Sequence, residues 1–296
     1  MKRGFRRWFL GVTTLAAFLA LLAATYAWFS SNRAVETSLA TTRTGDEKLE
    51  LLISDSGGSS FKDSDNVAIR QVNQTDRLEL MPVSTSDLKT YVSAPVTISG
   101  KAKHFQKVTG EENYYHGRVY LKAVGEGWEA GSRMKLYLDE SDGVLGKNGN
   151  GSLLNAARLG LKFSGPSSKT VILRLREREN SKDRQNYNTV VDGVTLGKNQ
   201  VLALKDGNSK TKDSDVSVKA VKDPSLPVKD YTVILGEEKA EIPEKSLLTM
   251  EFGKIYTVDI YFYLEGCDPD CSDAVSFNTS DLHLAFYGVL SQEAAR

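Results

Sequence analysis

The chain has 296 residues, 40% of them apolar and 26% charged, enough to bury the core of one large β domain or two smaller ones. Its 38 cations and 38 acids balance, and the absence of a long basic stripe excludes an electrostatic case for binding nucleic acid. The charge is unevenly placed: Lys2, Arg3, Arg6 and Arg7 open the chain, and no acid precedes Glu36.

In chain order, the first element is an export signal. Met1–Arg7 is a basic n-region, Trp8–Ala24 an apolar h-region, and Thr25-Tyr26-Ala27 the small–x–small pattern that a signal peptidase accepts, predicting a cut between Ala27 and Trp28. The competing reading is a retained anchor, since the charge-free stretch from Trp8 to Phe29 is about long enough to span a bilayer. Under either reading the basic flank keeps the start of the chain inside the cell and the body outside, at the surface or secreted. No Cys lies near the end of the h-region to accept a lipid, and no Glu is placed as a prepilin requires.

Past residue 28 the chain alternates with period two. Val119, Leu121 and Ala123 alternate with polar neighbours. So do Met134, Leu136 and Leu138, then Leu159, Leu161 and Phe163, then Val171, Leu173 and Leu175. Tyr256 to Leu264 gives one long strand, and Leu282, Leu284 and Phe286 complete the pattern. Turn signals such as Asp142-Gly143, Lys147–Gly151 and Ser164-Gly165-Pro166 separate the runs. The expected fold is therefore all-β, an antiparallel sandwich forming a single domain over residues 28–296. Short helical turns are expected over Ser84–Tyr91 and Leu153–Ala157. Residues 177–230, rich in Lys, Asp, Asn and Ser with weak strands such as Val201–Leu204, read as a polar insertion too poor in apolar residues for its own core.

Chemistry-bearing motifs are scarce. His104, His116 and His283 show no metal-ligand spacing, and no GxSxG, P-loop or GxGxxG occurs. The dense polar stretch is "LEGCDPDCSD", Leu264 to Asp273, which places Glu265, Asp268, Asp270 and Asp273 around Cys267 and Cys271. Three readings compete. Outside the cytoplasm a close cysteine pair closes a small disulfide around the Asp-Pro-Asp turn. Glu265, Asp268, Asp270 and Asp273 bind calcium through hard oxygen ligands, without an EF-hand spacing. Two thiolates hold a soft metal, although a tetrahedral site wants four ligands and no second pair exists. A plain solvated Asx turn is the default for the acids.

Two parts of the chain carry a family resemblance. The h-region followed by Thr25-Tyr26-Ala27-Trp28-Phe29-Ser30-Ser31-Asn32 resembles the junction of the TasA/camelysin group of exported bacterial proteins, in which a dedicated signal peptidase cuts after the Ala. The late segments "YTVDIYFYLEGCDPDC" and "DLHLAFYGV" look like the closing strands of related Firmicute surface proteins. The resemblance implies a jelly-roll sandwich outside a Gram-positive cell and, as in fibre-forming members, a subunit of the biofilm matrix. It also implies that residues from Trp28 to about Leu39 act as a donor strand in the next subunit, with Trp28, Phe29, Val35 and Leu39 as anchors. An extended segment can pair with an open sheet edge on physical grounds, and an ordinary first strand packed on its own subunit is the alternative. Camelysin carries a metallopeptidase label, but no metal motif supports that activity here. A glycan-binding module, with Tyr114, Tyr115 and Trp128 as stacking candidates, is a third class. The expected partners are thus the signal peptidase and further copies or other matrix and surface proteins. No cofactor is expected beyond the calcium reading.

Overall fold

The computed structural model describes residues 35–44, 49–57, 60–63, 67–73, 80–93, 105–108, 113–125, 132–139, 151–176, 194–197, 199–205, 216–236, 239–271 and 280–291. The export signal, the cut between Ala27 and Trp28, and the anchors Trp28 and Phe29 lie outside these residues. No helix among the described residues is long and apolar enough to cross a membrane.

The described residues are mostly strand. The first eight strands are β1 (Val35–Thr44), β2 (Leu49–Ser54), β3 (Lys62–Asp63), β4 (Val67–Ala68), β5 (Arg70–Gln71), β6 (Pro82–Val83), β7 (Val92–Ser93) and β8 (Gln106–Lys107). The long β9 (Tyr115–Gly125) and β10 (Arg133–Asp139) follow, then one helical turn and a half, α1 (Gly151–Ala156). Next come β11 (Ala157–Ser164), β12 (Lys169–Arg174), β13 (Gln200–Leu204), β14 (Val218–Lys222), β15 (Leu226–Pro227), β16 (Thr232–Leu235) and β17 (Ala240–Glu241). β18 (Leu248–Glu251), β19 (Ile255–Glu265) and β20 (Ser280–Leu290) complete the order.

Two sheets face each other. One has the order β17-β16-β10-β20-β1-β4, with β18 also on β10; the other runs β15-β12-β11-β19-β9-β2-β3, with β5 and β6 at its margins. Every alternating run in the sequence turns its apolar side into the space between them. Leu136 and Leu138 of β10 and Leu284 and Phe286 of β20 meet Leu121 of β9, Leu159 and Leu161 of β11, and Val258, Ile260 and Phe262 of β19 in one continuous core. The fold is all-β, as the period-two pattern requires.

Three features depart from the sequence expectation. The long ladders are antiparallel, but β1–β20, β10–β16, β12–β15 and β6–β19 pair parallel, so the sheets are mixed. Ser84–Tyr91 is a turn rather than a helix. Ser84 exchanges both main-chain hydrogen bonds with Val92, which closes the segment into a loop before a helix can propagate. Within it, Thr85 Oγ1 accepts the Leu88 N–H and Asp87 Oδ1 accepts those of Lys89 and Thr90. Finally, the outer face of the second sheet is not wet. Val83, Leu88, Tyr91, Tyr114, Ile172, Tyr261 and Tyr263 form a separate apolar cluster there.

Leu88 shows what that cover costs. Its backbone stands at φ 56°, a conformation that bulky side chains avoid. The return is close packing: a Cβ on Gly160 of β11 would lie 2.6 Å from both Leu88 methyl carbons, so the missing side chain is the seat of Leu88. Replacing Gly160 with Val is expected to lift this loop and destabilise the protein by about 1–3 kcal/mol. Urea denaturation followed by tyrosine fluorescence is the check.

A buried ion cluster as the candidate functional site

The site grows from the end of β19. Leaving the sheet at Glu265, the chain turns through Asp268-Pro269-Asp270, with Asp268 N–H donating to the Glu265 carbonyl and Cys271 N–H to that of Asp268. Asp268 Oδ1 accepts the Asp270 N–H at 3.1 Å, and Glu265 Oε1 accepts the Cys267 N–H at 3.1 Å. The Asx turn read from the sequence is present, but it is not solvated: Glu265, Asp268 and Asp270 are all buried.

The counter-charge comes from β11. Arg158 is the largest fully buried side chain among the described residues, 1% exposed. Its guanidinium donates from Nη2 to Asp268 and from Nη1 to the Ala157 carbonyl at 3.2 Å, and it stands 3.7 Å from Asp223 Oδ2. Asp223 itself follows β14, within the polar insertion, and accepts the Ser225 N–H. Arg158, Asp223 and the Glu265–Asp268 turn thus join three segments distant in sequence. One guanidinium faces three carboxylates. Burial pushes the Glu265 carboxyl up to about 7 against the pull of Arg158 and the hydrogen bonds from Ser84 and the Cys267 N–H. Arg158 is held more firmly protonated, because Asp268, Asp223 and Glu265 outweigh its own burial.

The same turn anchors the insertion. Leu202 of β13 donates its N–H to Ser84 Oγ at 3.0 Å, and Leu196, Leu202, Leu204, Val216 and Val218 pack on Val92, Phe105 and Cys267. The insertion shares a small core with the body, which resolves its shortage of apolar residues.

Cys267 and Cys271 are not joined by a disulfide. Cys267 packs in the insertion cluster, while Cys271 packs against the main core between the sheets, so the two side chains serve different clusters. Burial pushes the Cys267 thiol well up, and a protonated thiol is a poor nucleophile. Of the calcium candidates, Glu265 and Asp268 are committed to Arg158, Ser84 and main-chain N–H groups, and Asp273 lies outside the described residues. Among the described residues no group of three or more His, Cys, Asp or Glu is arranged to hold a metal. Val35 and Leu39 lie in β1, opposite Ser280 and His283 of β20 in the same chain.

Of the aromatic glycan candidates, Tyr114 and Tyr115 are buried; Trp128 lies outside the described residues. Tyr114 stacks on Tyr91 at 4.1 Å between ring centres. His116 is buried, stacked on Tyr261, and 3.3 Å from Asp259 Oδ1. Burial pushes the Asp259 carboxyl up, but hydrogen bonds from His116 and Arg118 prevail and hold it below the usual range.

Sequence reading missed Arg158 and Asp223. Alternation assigns Arg158 to a wet face, because pairing with Leu159 and Leu161 says nothing about what covers the other side. The usable signal was local: four acids within ten residues and no base among them require a cation from elsewhere if they are buried.

No protein-family model, curated protein or solved structure matches this chain. The functional reading therefore stands on the residues, their geometry and the resemblance at the two ends of the chain.

The titration of Glu265 gives a test of the cluster. A carboxyl whose pKa rises from about 4.5 to about 7 on folding binds more protons in the native state between those values, so stability falls as pH climbs through that window. Glu265→Gln mimics the protonated form. It is expected to flatten the dependence and to stabilise the protein at pH 8 by as much as about 3 kcal/mol. Denaturant titrations at pH 5 and pH 8 measure both effects.

Proposed function

We propose that this protein is an exported structural protein of a Gram-positive cell surface, a biofilm-matrix or fibre-forming subunit that a signal peptidase releases by cutting between Ala27 and Trp28. In this reading the two sheets form a jelly-roll-like sandwich, and subunits join through the segment from Trp28 to about Leu39. The observation that carries it is the position of β1. The first strand lies next to the sheet edge, paired parallel to the last strand over Ser38–Thr44. On its outer side the pairing with β4 covers only Leu39 and Ala40.

Two details favour an N-terminal segment that works in exchange. A register shift between Val35 and Ser38 interrupts the β1–β20 ladder, separating the leading residues from the strand behind them. That later part is secured: Ala40 and Thr42 are buried, and Arg43 reaches the buried Asp139 at 3.6 Å. An identical element passed between copies is a low-cost route to assembly, and a heterologous contact of this kind propagates without closing. Cleavage before Trp28 would supply the free end.

Electron microscopy of the extracellular protein, with its N-terminal residue determined, tests this. Filaments beginning at Trp28 are expected. Replacing both Trp28 and Phe29 with Ala, which leaves β1 whole, should raise the critical concentration about tenfold or more by removing two aromatic anchors. A monodisperse monomer that begins at Trp28 would refute the assembly, and a retained residue 1 would refute the cut.

A further inference from the structure

The far edge of the first sheet, opposite β1, presents a second surface. Of the five exposed large apolar residues among those described, three lie on the β16–β17 hairpin: Ile234 at 48%, Leu235 at 39% and Ile242 at 47%. Among the described residues β17 ends its sheet, with β16 on one side, and its other side offers main-chain groups to a further strand. The apolar surface is continuous with a packed strip. Leu235 stands opposite Ala240, two residues from the fully buried Val233, and Val233 and Ala240 pack with Tyr137 and Tyr287.

The charges around this edge select a partner. Lys239 and Glu241 are exposed and flank Ala240. In an antiparallel pairing of two copies centred on Lys239 or on Glu241, like charges face each other. Centred on Ala240, each Lys239 faces a Glu241, twice over by symmetry. Opposite charges directly across a ladder stabilise it and like charges weaken it. Pro243, with no N–H to donate, limits the pairing to a short contact.

We propose that this edge is a homotypic contact: a second copy of the chain lays its β17 antiparallel against the first about a two-fold axis at Ala240, making the sheet continuous across a dimer. An isologous contact of this kind closes by itself. It does not depend on the N-terminal segment and goes beyond the assembly proposed above. Where both contacts operate, each copy has one at either edge of the same sheet.

The test uses the full-length chain in a nonionic detergent. With Ala240→Cys, opposed residues on the axis are expected to give a covalent dimer on mild oxidation that the unsubstituted chain does not give. In sedimentation velocity, Lys239→Glu or Glu241→Lys alone should raise the dissociation constant about tenfold. Mixing the two variants, or combining both substitutions in one chain, should restore it. A monomer at all concentrations, or a dimer indifferent to the charge reversals, would overturn the proposal, whether or not filaments form through residues 28–39.

Discussion

Strand β19 is buried on both of its faces, and most of the architecture follows from that constraint. Tyr256, Val258, Ile260, Phe262 and Leu264 fill the space between the sheets, while Asp259, Tyr261, Tyr263 and Glu265 on the other face are also at most 7% exposed. A strand paired on both sides and covered on both faces needs a second layer outside the sandwich. The chain supplies it from segments that would otherwise be loops: Pro82 to Ser93, the β13–β14 hairpin, and the turn that follows β19 itself. Leu88 accepts a left-handed backbone to complete this layer, and Gly160 gives up a side chain to make room for it.

Burial of the outer face forces an electrostatic solution. Glu265 and Asp268 leave water with the end of β19, and an unpaired buried carboxylate would be too costly to keep ionised. Arg158, Asp223 and a partly protonated Glu265 settle the balance together. Such clusters rarely add net stability over an apolar packing of the same volume, whereas removing Arg158 alone, which leaves the carboxylates uncompensated, is expensive. Here they lie where the insertion docks, with Asp223 beside Arg158 and the Leu202 N–H donating to Ser84 Oγ. The His116–Asp259–Arg118 group meets the same constraint further up the strand, by hydrogen bonding.

What could be read from the sequence was what depends on period two alone. The inward faces of β9, β10, β11, β19 and β20 were all evident, because an apolar residue at every second position has one physical explanation. The outer layer was not evident. "YTVDIYFYLEG" is apolar on both faces at Tyr261 and Tyr263 as well as at Ile260 and Phe262, and that double run was the available sign of two-sided burial. Arg158 and the carboxylates were misassigned to water for the same reason, since alternation locates one covered face and is silent about the other. The parallel pairings β1–β20 and β6–β19 depend on long-range closure that local pattern does not encode. Spacing alone does not tell which cluster the side chain of each cysteine enters.

The edges of the first sheet bring these strands back to assembly. A sandwich buries its faces and leaves its edges, and soluble proteins blunt edges with charge, proline or short strands. The β17 edge has all three, in Lys239 and Pro243 to either side and its length of two residues, yet the β16–β17 hairpin also leaves Ile234, Leu235 and Ile242 in the open. Protection alone would favour polar residues at these positions. Charges that oppose one another only in a single register discriminate among partners, and exposed apolar side chains supply the attraction that blunting lacks. At the other edge, among the described residues, β4 covers β1 over just two residues.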